Sequence, residues 1–92
     1  MIPALHMRPR LAPGCRLNEK SQAPRVLLMP ERVLRLNGPS LEIVERCDGE
    51  RTIQQIISEL QLLYSKAVPE KVQQDILEYL KLLHDKRAIN FE

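Results

Sequence analysis

Apolar and polar positions divide this chain into a β-leaning first part and a helical second part. Arg25-Val26-Leu27-Leu28-Met29 and Arg32-Val33-Leu34-Arg35-Leu36 are short apolar runs separated only by Pro30-Glu31. Two such runs so close together predict an antiparallel hairpin. Pro30 pre-sets φ at the first turn position, but Pro-Glu lacks the left-handed preference of Asn-Gly, so a loop one residue longer on each side is expected. Cys15-Arg16-Leu17, following a Pro13-Gly14 turn, is a third short strand, and residues 18–24 form a polar loop. At Asn37-Gly38-Pro39 the period changes. Asn37 or Gly38 can cap a helix there, with Pro39 in its first turn, where a missing N–H costs nothing. The first helix carries Leu41, Ile43, Val44 and Cys47 on its apolar positions, and Asp48-Gly49 closes it.

The second helix opens on a capping box, Thr52 with Gln55. Its stripe is Ile53, Ile56, Ile57, Leu60, Leu63 and Tyr64, at helical spacing. Residues 65–68 lead into a third helix with Pro69 at its first position and Glu70 favourable to its dipole. Val72, Ile76, Tyr79, Leu80 and Leu83 form its stripe, widened by Leu77 and Leu82. Residues 88–91 read as a tail lying extended against the body, and residues 1–10, with Pro3 and Pro9, as an extended or mobile arm. The expected architecture is one α+β domain over residues 1–92. A small three-stranded antiparallel sheet is followed by three helices, and its edges need a partner or a helix to cover them.

Composition narrows what such a domain does. The 92 residues carry a net charge of +2. Residues 1–35 hold seven Lys/Arg against Glu19 and Glu31, a balance of +5, while residues 36–92 hold seven against ten acids, a balance of −3. Helices two and three could form a helix-turn-helix, with Lys71, Gln73 and Gln74 near the start of a recognition helix. Glu70, Asp75 and Glu78 on that helix oppose a phosphate backbone, and the hairpin precedes the helices instead of following them as a wing would. The only aromatic residues are Tyr64, Tyr79 and Phe91, too few to stack unpaired bases. Cys15 and Cys47, with His6 and His84, have no metal-ligand spacing and suit a reducing compartment. No segment has the make-up of a signal peptide or a membrane span, so a cytoplasmic protein without a membrane partner is expected. Glu42, Glu45 and Asp48 read as a solvated helix face, and Ser40 lacks an activating His. No catalytic residue and no cofactor of its own are expected.

A small sheet with an open edge beside an amphipathic helix can take an extended peptide as an additional strand. Backbone pairing at about 0.5–1.5 kcal/mol per hydrogen bond is marginal against an ordering cost of about 2–5 kcal/mol, so apolar docking must add to it. Leu77 and Leu82 on the third helix offer a floor for such docking; equally, they can pack against the tail or against a second copy in a homodimer. A winged-helix-like nucleic-acid-binding protein is the alternative.

At Pro13-Gly14-Cys15-Arg16-Leu17, Val26-Leu27-Leu28-Met29-Pro30-Glu31, Leu36-Asn37, Ile43, Cys47-Asp48-Gly49, Arg51-Thr52-Ile53 and Ile56, the chain resembles the pyrroloquinoline quinone (PQQ) biosynthesis protein D family, over roughly residues 8–90. The resemblance implies a non-catalytic peptide chaperone that binds a ribosomally made precursor peptide. It would present that peptide to a radical S-adenosylmethionine (SAM) enzyme, on a winged-helix-related domain of three strands and three helices. It places the peptide as a strand beside the third strand, here Arg32, Val33, Leu34, Arg35 and Leu36. The peptide would lean on the third helix, whose face is placed by periodicity at Val72, Gln73, Ile76, Leu77 and Leu80. Two departures stand out. Arg32 follows Pro30-Glu31 where a small residue is expected, and Lys86-Arg87-Ala88-Ile89 stands where the family commonly carries Gly-Trp.

Overall fold

Pro30-Glu31 closes the hairpin with no residue to spare. In the computed structural model, which describes residues 3–92, Met29 pairs directly with Arg32, so the loop is two residues long and not the longer one expected. Neither Pro30 nor Glu31 has a positive φ. The element order is β1 (Pro9–Leu11), β2 (Arg16–Leu17), β3 (Val26–Met29), β4 (Arg32–Arg35), α1 (Pro39–Glu45), α2 (Ile53–Leu63), α3 (Pro69–Asp85) and β5 (Ile89–Phe91). The expected three-stranded antiparallel sheet is present in the order β2-β3-β4, followed by the three expected helices.

A second, two-stranded sheet joins the ends of the chain, β1 to β5, with Pro9 opposite Phe91, Arg10 opposite Asn90 and Leu11 opposite Ile89. This corrects the expectation of a mobile arm for residues 3–10; Met1 and Ile2 lie outside the described residues. The reason is the hydrogen-bond demand of α2. The first N–H groups of a helix have no partner within it, and here the carbonyls of Met7 and Leu5 accept from Ile53 and Gln54 at 2.9 and 3.0 Å. Thr52 accepts the next one, from Gln55, and the capping box is complete. The arm is thus held by a helix end that would otherwise be unsatisfied.

β1 is covered on its other side too. Gly49 donates to the Pro9 carbonyl at 2.8 Å, and Leu11 donates to the Cys47 carbonyl at 3.3 Å. Gly49 sits at φ +77, and the Arg10 guanidinium lies where a side chain at that position would begin. Asp48 accepts from the backbone N–H groups of Glu50 and Arg51 and pairs with the Arg51 side chain. Glu59 on α2 accepts from both Arg46 and Arg51, and Arg46 also pairs with Glu42. Partial burial pushes the Glu59 and Asp48 carboxyls up, but hydrogen bonds and the arginine charges outweigh it and hold both below their ordinary range.

The core lies between the inner face of the three-stranded sheet and the helices, built from Leu27, Leu36, Ile43, Val44, four residues of α2, and Ile76, Leu80 and Leu83 of α3. Each such side chain contributes about 1.5–3 kcal/mol on burial. Ala88 and Ile89 complete it from the tail. The stripe of α2 is buried as expected except at its end, where Leu63 is 53% exposed beyond the reach of the sheet. α3 ends in a Schellman motif: Arg87 donates to His84 and Ala88 to Leu83. Arg87 occupies the left-handed position, φ 61, that glycine usually fills.

Candidate functional site

The β4 strand has one paired edge and one open edge, and the register fixes which residues serve each. Leu36 donates to the Arg25 carbonyl at 3.0 Å. Leu34 and Arg32, opposite Leu27 and Met29, therefore exchange hydrogen bonds with β3. The backbone N–H and C=O of Val33 and Arg35 point the other way, to the open edge. Side chains alternate with the same period. Leu34 packs half-buried against the core and Leu36 is fully within it. Val33, 60% exposed, lies on the outer face beside Arg35.

Open spaces near both ends of β4 are lined in part by α3. At the hairpin turn, Pro30, Glu31 and Arg32 share a cavity of about 370 Å3 with Lys86 and Arg87. Beyond the other end, Pro39 and Ile43 share a cavity of about 150 Å3 with Lys71, Val72, Asp75 and Ile76. α3 therefore runs antiparallel to β4, with its C-terminal end at the turn. The sector of α3 continuing from Lys71 and Asp75 at helical spacing contains Tyr79, Leu82 and Lys86. Leu82 is 41% exposed. Burial pushes the Tyr79 hydroxyl up, opposed by the neighbouring Ser40 hydroxyl at the start of α1.

The ten residues expected at the site fall into three groups. Arg32, Val33, Leu34 and Arg35 lie on β4, and Val72 lines the small cavity near its end. Leu36, Ile76 and Leu80 are core side chains, at most 5% exposed, and act as the floor of any groove rather than as contacts. Gln73 and Leu77 are on a different face of α3, where they line a cavity of about 410 Å3 with Pro3 and Lys81. Lys71 and Asp75 line the space beside Pro39 and Ile43 of α1, and Tyr79 lies beside Ser40, while Gln73 and Leu77 line the separate cavity near Pro3. The apolar stripe predicts the buried centre of α3 but not which flank turns toward the sheet, because that depends on how the helix crosses it.

Chemistry at the remaining candidates is quiet. The Cys47 thiol donates to the Ile43 carbonyl, and burial, with the charge of Asp48, pushes its pKa up to about 12. Such a thiol is not a nucleophile near neutral pH. Among the described residues, no group of three or more His, Cys, Asp or Glu side chains is placed to hold a metal, and no helix is long and apolar enough to cross a membrane.

Comparison with known proteins places this geometry in a family. The family described as "Coenzyme PQQ synthesis protein D (PqqD)" matches residues 25–89. A "PqqA binding protein" of Xanthomonas euvesicatoria pv. vesicatoria is 35% identical over 85 residues, covering 91% of both chains. One from Rahnella aquatilis is 34% identical over 87 residues, covering 94% of this chain and 90% of its own. Among solved structures, the solution NMR structure of the PqqD truncation of Methylobacterium extorquens PqqCD matches with a TM-score of 0.70 and 35% identity. It covers 89% of this chain and 87% of that one, and is described as a functional, stand-alone recognition element for ribosomally synthesized and post-translationally modified peptides. The family match spans the β3–β4 hairpin and all three helices, and the chain belongs to the PqqD family of coenzyme PQQ synthesis proteins.

Proposed function

We propose that this protein binds the PqqA precursor peptide as a strand added to the open edge of β4 and presents it to the radical SAM enzyme that modifies it in PQQ biosynthesis. The observation that carries this reading is the outward-pointing backbone of Val33 and Arg35, two donors and two acceptors at strand spacing, alongside α3. Family membership and relatives named for binding PqqA support the choice of peptide. The residue opposite Leu34 would point inward, toward Tyr79 and Leu82, and supply the apolar docking that backbone pairing alone lacks. By holding a disordered peptide extended, the protein would raise its effective concentration at the enzyme. It would do so in the cytoplasm and without a cofactor or chemistry of its own; a homodimer through the same edge would compete with the peptide.

A backbone-amide NMR titration with PqqA tests this reading. Saturating shifts at residues 32–36 and along the Lys71, Asp75, Tyr79 and Leu82 face support it. Shifts confined to the Gln73 and Leu77 face, or none at several hundred micromolar peptide, refute it. The nucleic-acid alternative gains nothing from the comparisons, and α3 carries Glu70, Asp75, Glu78 and Asp85. Duplex DNA should cause no saturating shifts at moderate salt.

A further inference from the structure

Three cations converge where β4 meets the end of α3. Arg32, Lys86 and Arg87 line the cavity of about 370 Å3 at the hairpin turn. None of them takes part in an ion pair within the described residues, although Glu31 borders the same cavity. Arg87 is held at φ 61, in a Schellman position where glycine is the undemanding choice. A strained backbone that carries a long cation into a cavity already holding two others is an observation in search of a role.

We infer that Arg32, Lys86 and Arg87 form a carboxylate-recognising subsite that reads an acidic side chain of the bound peptide. This rests on the added-strand reading above, and strand geometry makes it specific. A peptide residue opposite Arg32 has its side chain on the same face as Arg32, the face toward the end of α3. The inward residue opposite Leu34 lies two positions away along the peptide. The recognised element is an acidic and an apolar side chain separated by one residue, the acidic one at the hairpin turn. Strand direction decides only which of the two comes first. The subsite thereby fixes register, since a slip of one residue turns the carboxylate to the outer face.

The experiment is a coupling measurement on the full chain, with PqqA as the probe. Binding is measured for the natural protein, for the triple variant Arg32→Gln, Lys86→Gln, Arg87→Gly, and for Val33→Pro. Each Asp and Glu of PqqA is in turn replaced by its amide. The triple variant should melt at the natural temperature or slightly above it, since its changes are at exposed positions and glycine relieves the left-handed φ at 87. It should bind about fivefold to tenfold more weakly, as expected for loss of a few exposed charge contacts. One amide-substituted peptide should lose a similar factor against the natural protein and little further against the triple variant. Natural affinity in the triple variant, or losses that simply add for every acidic position, would overturn the subsite while leaving strand addition intact. Natural affinity in folded Val33→Pro would overturn strand addition itself, and the subsite with it.

Discussion

β1 and β4 present the same problem and receive opposite solutions. In each, alternate residues are bonded to a neighbouring strand, leaving two whose backbone groups point outward: Pro9 and Leu11 in β1, Val33 and Arg35 in β4. For β1 the loop at 47–49 supplies both partners, and proline at position 9 removes a donor that would have had none. For β4 no backbone partner from the described residues reaches Val33 or Arg35. An unpaired edge is a liability. A fold that closes one edge with a dedicated loop and leaves another open separates holding the chain together from meeting another chain. The Cys47-Asp48-Gly49 motif belongs to the first task. It closes an edge, with Gly49 at a left-handed φ and Asp48 organising the turn, and its buried thiol is bonded to the Ile43 carbonyl.

The contrast can be broken at either edge. Leu11→Pro removes the donor to Cys47 and a half-buried side chain, and should destabilise the domain by about 2–3 kcal/mol in urea melts. A near-neutral result would mean that β1 is not needed to close the fold. Gly49→Ala should cost about 1–2 kcal/mol, because alanine must adopt φ +77; the Arg10 guanidinium can swing aside, so most of the cost is backbone. A smaller effect is expected from acid. Glu59 and Asp48 have folded pKa values below their ordinary 4.5 and 3.8. Their stabilisation is complete above those ordinary values and is lost as pH falls through the lowered ones. Melting temperature should therefore decline on acidification below about pH 4.5, less steeply in Glu59→Gln, and a parallel decline in both proteins would dismiss the network as a contributor. Smallest of all is Val33→Pro, which removes only an outward donor and should shift stability by no more than about 0.5 kcal/mol while abolishing peptide binding. A large loss of stability there would show that the edge is not free.

Local chemistry was legible in the sequence. The Thr52–Gln55 capping box, Pro39 and Pro69 in their helix first turns, and the burial of Ile53, Ile56, Ile57 and Leu60 all follow from spacing within a few residues. What was missed is non-local. β1 is three residues long and pairs with residues at the far end of the chain, so no nearby pattern announces it. The docking of residues 5–7 had one clue, the free N–H groups at the start of α2, but nothing said which carbonyls would meet them. At the site, the β4 edge was legible because a hairpin fixes its own register. The flank of α3 was less legible: Gln73 and Asp75 are both exposed, and only the packing of α3 against α1 brings Asp75, not Gln73, to the side of Pro39.

The pairing of β1 with β5 also orders events during synthesis. A chain emerging amino end first offers β2, β3, β4 and the first two helices long before residues 89–91 exist. Until residues 88–91 leave the ribosome, the N-terminal arm is held only by the 47–49 loop and the start of α2, and the buried positions of Ala88 and Ile89 stand empty. The hairpin can form early because its contacts are local, whereas the closing sheet is among the most distant pairings the sequence allows. The open β4 edge can therefore form before the closing sheet that secures the fold.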